Sequence, residues 1–140
     1  MPNLEDFLVL RKRYLNSAEV LFDFGHYDVA YYLAGYSVEC AIKAVICKRI
    51  RPNEFPPPNV NSSHYVHDIK QLIKTAKLED DLNYDMDRYS DLKMSFMVLK
   101  DWNPKDLRYE SSSMSKGMAK NYIDEVKNEK GFVIWLNKYL

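Results

Sequence analysis

Residues 27–46 read YDVAYYLAGYSVECAIKAVI and form the most hydrophobic stretch of this 140-residue chain. When the stretch is placed on a helical wheel of about 100° per residue, small and branched apolar side chains fall in one arc. These are Ala30, Ala34, Val38, Ala41 and Val45, flanked by Tyr31 and Ile42. The pattern predicts a helix with one face in a core, beginning with Asp28 as its N-cap and running to about Arg49.

The opposite side of this predicted helix carries Tyr32, Tyr36, Glu39 and Lys43 within a sector of roughly 60°. One interpretation is a solvated face, on which Glu39 and Lys43 form an ordinary helix pair worth a few tenths of a kcal/mol. The other is a ridge that lines a groove or a dimer contact, because aromatic residues are enriched at interfaces. Tyrosines beside a lysine can also stack bases and neutralise phosphate. Periodicity alone leaves both interpretations open.

The rest of the chain shows the same helical periodicity, with only four glycines in the sequence. Further helices are predicted at about residues 4–24, 67–77, 82–102 and from a serine cap at 111–113 to about 136. Gly131 is expected to kink or split the last of them. The proline-rich segment between Arg51 and Ser63 is expected to be an extended loop. We therefore expect an all-α, up-and-down bundle of about five helices in a single domain over residues 1–140.

Composition restricts the class of protein. The chain is 46% hydrophobic and 29% charged, which is typical of a soluble globular protein. Twenty basic and twenty acidic residues cancel, so a generic polyanion-binding surface is not indicated, although a local basic patch is compatible with this balance.

Cysteine usage and hydropathy indicate the compartment. Cys40 and Cys47 lie about 10 Å apart along one predicted helix, too far for a disulfide within it, and two free thiols fit a reducing cytosol. No run approaches the roughly 18–20 apolar residues of a membrane span. We expect a cytoplasmic protein with no membrane contact.

Several segments together resemble the HEPN family. They are NSAEVLFDFGHYDVA, then YYLAGYSVECAIKAVI, then a proline-containing loop with a histidine before HDIKQLI, and finally the RY of DLRYESSS. HEPN proteins are small all-helical domains found beside minimal nucleotidyltransferases, in toxin–antitoxin pairs and in larger defence proteins. The resemblance runs from about Leu4 to the last helix. It implies a helical bundle that is often dimeric and is associated with RNA or nucleotide chemistry.

Many HEPN members are metal-independent ribonucleases marked by an arginine, four to six intervening residues and a histidine. The arginine stabilises the charged transition state, and the histidine moves the proton of the 2′-hydroxyl. After Arg108 the corresponding positions here are Ser113, Met114 and Ser115, and no other arginine has a histidine at that interval. The family's ribonuclease mechanism therefore lacks its general base, and we do not expect that activity.

Two other groups of residues have competing interpretations. His64 and His67, with Asp68, could begin a metal site, but three or four ligands are needed and no further His or Cys cluster exists. A serine cap at Ser62 or Ser63 and packing of His67 is the simpler interpretation, and we expect no metal and no cofactor.

Arg108 and Tyr109 are the second group. Arg108 either bonds helix-end carbonyls or pairs with Glu39 across the bundle, or it converges with Lys43 and the tyrosines on a cleft for a phosphate-bearing ligand.

The functional hypothesis from sequence is a non-catalytic HEPN-domain protein. It binds a nucleotide or RNA, or a nucleotidyltransferase-type partner, as a homodimer. The alternatives are a toxin-like ribonuclease with a displaced histidine and a purely structural dimerisation module. The candidate ligand- or partner-binding residues are Tyr32, Tyr36, Glu39, Lys43, His64, His67, Arg108 and Tyr109.

Overall fold

The computed structural model describes residues 2–49, 67–102, 104 and 114–140. Within these ranges every regular element is a helix and no strand occurs. The helices are α1 (Leu4–Asp23), α2 (Tyr27–Arg49), α3 (Ile69–Thr75), α4 (Glu79–Arg88), α5 (Ser90–Leu99), α6 (Lys116–Lys127) and α7 (Phe132–Leu136), followed by a 3₁₀ turn at Asn137–Tyr139. The predicted all-α class is confirmed.

Helix α1 begins with a capping box. The Asn3 side chain accepts the Asp6 N–H at 2.9 Å, and the Asp6 carboxylate accepts the Asn3 N–H at 2.9 Å. Two N–H groups that a helix start leaves unpaired are thereby satisfied. At the other end Gly25 has a φ of 85°, a left-handed conformation that turns the chain sharply into α2.

Helix α2 is the central element, and α1, α3, α6 and α7 all pack against it. By length and composition α2 could cross a membrane, with a mean hydropathy of 1.3, which corrects the expectation that no run is apolar enough. However, 72% of that window is buried inside the protein. Core helices of bundles pass the same test, because a helix enclosed on several sides has apolar residues around most of its circumference.

Two predicted helix starts are wrong. Helix α2 begins at Tyr27, so Asp28 lies in the first turn and is not its cap; its carboxylate accepts the backbone N–H of Met114 instead. Helix α3 is capped by Asp68, which accepts the N–H groups of Lys70 and Gln71 at 2.9 and 3.4 Å, and not by an upstream serine. At α3 the Asp68 carboxylate takes the capping role that the sequence assigned to Ser62 or Ser63.

Two predicted helices are each divided in two. The helix expected over residues 82–102 breaks at Tyr89, whose φ and ψ of −125° and 103° are extended, to give α4 and α5. The last helix splits at Gly131 into α6 and α7, as expected. Ser115 caps α6 by accepting the Met118 N–H at 3.2 Å, so the serine cap was predicted too early in the chain.

Asp85 on α4 holds the C-terminal residues to the bundle. Its Oδ2 accepts hydrogen bonds from Lys138 Nζ at 2.6 Å and from Trp135 Nε1 at 2.7 Å. Tyr139 adds a bond from its hydroxyl to Asp81 at 3.1 Å. The hydrogen bonds from Lys138 and then Trp135 lower the pKa of Asp85, because they favour its charged form.

Candidate functional site

The polar residues of α2 do not protrude as a solvated ridge. Glu39 is only 4% exposed and Lys43 only 8%, whereas Tyr32 and Tyr36 are half-buried. The solvated-face interpretation was therefore wrong for Glu39 and Lys43. The charged residues are buried because α2 is covered on this side as well, so the wheel sector opposite the apolar arc is a second buried surface.

Both oxygens of the Glu39 carboxylate are hydrogen-bonded. Oε2 accepts from Lys43 Nζ at 3.2 Å, and Oε1 lies 2.6 Å from Nδ1 of His67. A buried carboxylate without such partners would be strongly destabilising, so the two basic groups explain how Glu39 is tolerated inside the bundle. A separation as short as 2.6 Å is typical of a hydrogen bond to an ionised group.

His67 connects this buried pair to the protein surface. It lies just before α3, 28 positions after Glu39, and 38% of its side chain is exposed. When Nδ1–H donates to the carboxylate, a neutral imidazole presents Nε2 as a hydrogen-bond acceptor. Glu39 thus sets the orientation of a histidine that solvent can reach.

Tyr36 is the centre of an aromatic group beside these charges. Its ring centroid lies 4.9 Å from Tyr32, 5.0 Å from Trp102, 5.7 Å from His67 and 5.7 Å from Tyr14. The hydroxyls of Tyr32 and Tyr36 are 3.1 Å apart and share a hydrogen bond. The contacts with Tyr32, Trp102 and His67 are edge-to-face, and aromatic pairs in this arrangement add about 0.5–1.5 kcal/mol each beyond area burial, so the Tyr36 ring is held in place.

Trp102 follows α5, and its buried ring lies against the ring of Tyr36. Its side chain is 2% exposed and packs against Gly35, where an added Cβ would lie 2.0 Å from indole atoms. Among the described residues its Nε1–H has no hydrogen-bond partner. We call Tyr32, Tyr36, Glu39, Lys43 and His67, with Trp102 beneath them, the aromatic–ionic cluster.

The structure brings five of the predicted site residues together and leaves three untested. Tyr32, Tyr36, Glu39, Lys43 and His67 form one group, whereas His64, Arg108 and Tyr109 lie outside the described residues, and predictions about them stay predictions.

Sequence reasoning did not foresee the Glu39–His67 bond or the packing of Trp102 on α2. Gly35, one glycine inside a long apolar helix, was the available signal that a large ring approaches there.

Neither thiol nor metal chemistry is suggested by the described part of the chain. Cys40 and Cys47 are buried, and desolvation raises the pKa of each thiol to about 12, which leaves almost no thiolate at neutral pH. Over residues 2–49, 67–102, 104 and 114–140 no group of three or more His, Cys, Asp or Glu side chains is arranged to hold a metal ion.

Comparison with known proteins identifies one family. A family model described as "HEPN domain" matches residues 11–128, a span that contains the whole aromatic–ionic cluster. No curated protein and no solved structure matches the chain.

Proposed function

The chain belongs to the HEPN domain family, and we propose that it is a non-catalytic member that binds a nucleotide or RNA at the aromatic–ionic cluster. The observation that carries the proposal is the buried Glu39 carboxylate, which holds a solvent-accessible His67 at 2.6 Å beside the ring of Tyr36, which in turn contacts Tyr32. Polar atoms and aromatic rings on one surface are what unpaired bases bind, by hydrogen bonding and stacking.

Burial and hydrogen bonding support a prepared binding surface. The ring of Tyr36 is held by four neighbouring rings, and His67 is held by a carboxylate that is itself bound to Lys43. A binding surface whose side chains are already ordered loses less conformational entropy when a ligand binds. These rigid groups make α2 and the start of α3 the best-supported place for a ligand.

The test is direct binding of single-stranded RNA and of mononucleotides, measured by isothermal titration calorimetry and thermal shift. Tyr32→Ala should weaken binding by about 1–3 kcal/mol if a base stacks there. Tyr84→Ala on α4, where the tyrosine is 62% exposed, is the matched control and should bind as the wild type does. If no RNA or nucleotide binds to the folded wild-type protein, the proposal fails.

A second candidate function is a ribonuclease that uses a displaced histidine. The Glu39–His67 hydrogen bond favours it, because a carboxylate on Nδ1 orients an imidazole as a general base through Nε2. Cleavage of structured and single-stranded RNA would be compared between wild type and the His64→Ala/His67→Ala double variant. Wild-type cleavage that the double variant loses would replace the non-catalytic proposal, and equal absence of cleavage would end this alternative.

We also propose self-association or pairing with a nucleotidyltransferase-type partner. Support for a protein contact comes from exposed apolar side chains around the α1–α2 turn, with Val20, Phe24 and Val29 exposed by 55%, 78% and 48%. Sedimentation of the wild type against a Phe24→Ser variant tests the homodimer. A wild-type monomer at all accessible concentrations would refute it.

A further inference from the structure

We infer that the aromatic–ionic cluster recognises its ligand through a nucleobase and not through phosphate groups. The inference rests on the proposed function and specifies which part of the ligand this surface binds. It also replaces the sequence-based idea that Lys43 neutralises a phosphate beside the tyrosines.

The ammonium group of Lys43 is already paired with a carboxylate inside the protein. Its side chain is 11% exposed, and its ammonium lies 3.2 Å from the Glu39 carboxylate. Reaching a phosphate in solvent would leave Glu39 buried with one basic partner fewer, which is costly because breaking a buried ion pair strands a charge. Lys43 therefore supports Glu39 and is not a phosphate ligand.

The described residues of the cluster offer an anion little positive charge that is not already paired. The charges of Glu39 and Lys43 cancel, and the same carboxylate lies 2.6 Å from Nδ1 of His67. Of the described residues, Lys43 and His67 are the basic groups bonded to this carboxylate, and Glu39 holds them both. A phosphate-binding surface instead presents exposed cations or several convergent N–H groups.

The groups that solvent can reach are those that suit a base. Tyr32 and Tyr36 are half-buried aromatic residues whose hydroxyls bond each other at 3.1 Å, and His67 presents Nε2 on a side chain that is 38% exposed. Hydroxyl and imidazole groups can each donate or accept, which matches the mixed donors and acceptors on a base edge. The ligand class is thus an unpaired nucleobase, free or within a single strand.

The indole N–H signals of the ¹⁵N-labelled full-length protein provide a site-specific assay. Trp102 lies in the cluster, whereas Trp135 bonds Asp85 at 2.7 Å near the C-terminus and acts as an internal control. The probes are a nucleoside, its monophosphate and its triphosphate, titrated separately for adenine and for uracil. A Trp135→Phe variant assigns the two signals.

A base-directed site should shift the Trp102 signal with the nucleoside itself and leave the Trp135 signal in place. The three forms of one base should bind with affinities within about threefold of each other. For oligouridylate, log K should fall with log salt concentration with a slope shallower than about −0.7, the value for one neutralised phosphate on a single strand. Tyr32→Ala should weaken binding about 5- to 150-fold, whereas Tyr32→Phe, which keeps the ring, should stay within about threefold.

Two results would overturn the inference, and they have different meanings. Binding of the triphosphate more than about tenfold tighter than the nucleoside, or a steep salt dependence, would contradict base recognition while the proposed function stands. If none of the probes moves either signal and no RNA binds, the proposed function fails together with the inference.

Discussion

Substituting Glu39 by glutamine tests whether the buried ion pair is organised as the structure indicates. The amide keeps the size of the side chain but has no charge and only one acceptor oxygen. Because Lys43 and His67 bond separate oxygens of the carboxylate, at 3.2 and 2.6 Å, the amide can keep only one of these two bonds as an acceptor. Lys43 would then carry a positive charge that is 8% exposed and no longer balanced by Glu39.

The expected magnitude follows from the geometry. At the 3.2 Å separation of the two charged atoms, Coulomb attraction at an effective dielectric constant of about 20 is roughly 5 kcal/mol before desolvation is subtracted. Removing one partner of a buried pair typically costs about 3–5 kcal/mol, since the remaining charge stays desolvated. We therefore expect Glu39→Gln to lower the free energy of unfolding by about 3–5 kcal/mol, a large part of the stability of a typical domain.

The chain contains a matched control for this substitution. Lys120 and Asp124 on α6 form a pair with the same four-residue spacing, at 2.8 Å, but their side chains are 62% and 57% exposed. Asp124→Asn should cost less than about 0.5 kcal/mol, as exposed helix pairs do. Urea denaturation at neutral pH, followed by circular dichroism, gives both free energies on one scale.

A double variant separates the two causes of the loss. Glu39→Leu combined with Lys43→Met removes both charges and keeps apolar volume, so it should lie within about 1 kcal/mol of the wild type or be more stable. If Glu39→Gln costs no more than Asp124→Asn, the carboxylate is not buried as described and the reasoning is refuted.

Three further outcomes can be checked on the same protein. Gly35→Ala should lower the free energy of unfolding by about 1–3 kcal/mol, because the added Cβ would lie 2.0 Å from the buried indole of Trp102. Gly117→Ala is the control: its Cβ meets no atom within 4 Å, so the substitution should be neutral or stabilising. Urea midpoints measure both effects. The pKa of Asp85 is lowered from 3.8 in the folded protein, so the carboxylate stabilises the fold fully above that value and loses this effect as the pH falls through the lower native pKa. In Asp85→Asn the stability should therefore decline less steeply toward pH 3. An unchanged decline would contradict this. Cys40 and Cys47, whose thiol pKa values are raised to about 12, should not react with a disulfide reagent at pH 8 until urea unfolds the chain. Rapid labelling of the folded protein would show instead that the thiols are accessible.

Local periodicity was enough to predict the first two helices. Predicted bounds of about 4–24 and 28–49 compare with Leu4–Asp23 and Tyr27–Arg49. Such a pattern is a property of neighbouring residues, because side chains three and four apart share a face whatever the rest of the chain does. For the same reason Gly131 could be recognised as a break from sequence, since glycine weakens a helix locally.

The break at Tyr89 shows where local reasoning stops. Nothing in the apolar spacing of residues 82–102 signals it, yet Tyr89 is extended there and α4 turns away from α5. One outcome of this arrangement is that Asp85 on α4 reaches Trp135 and Lys138 at the end of the chain. A helix end of this kind is decided by packing among distant segments, which override a weak local preference.

The side of α2 opposite its apolar arc shows the same division most clearly. The sequence by itself determined that Tyr32, Tyr36, Glu39 and Lys43 share one side of one helix. Only the tertiary structure decided that this side is covered, that His67 from a distant segment bonds Glu39, and that Lys43 is buried in an ion pair with Glu39. A helical wheel gives directions around an axis, whereas burial and hydrogen bonding depend on which other segments occupy those directions.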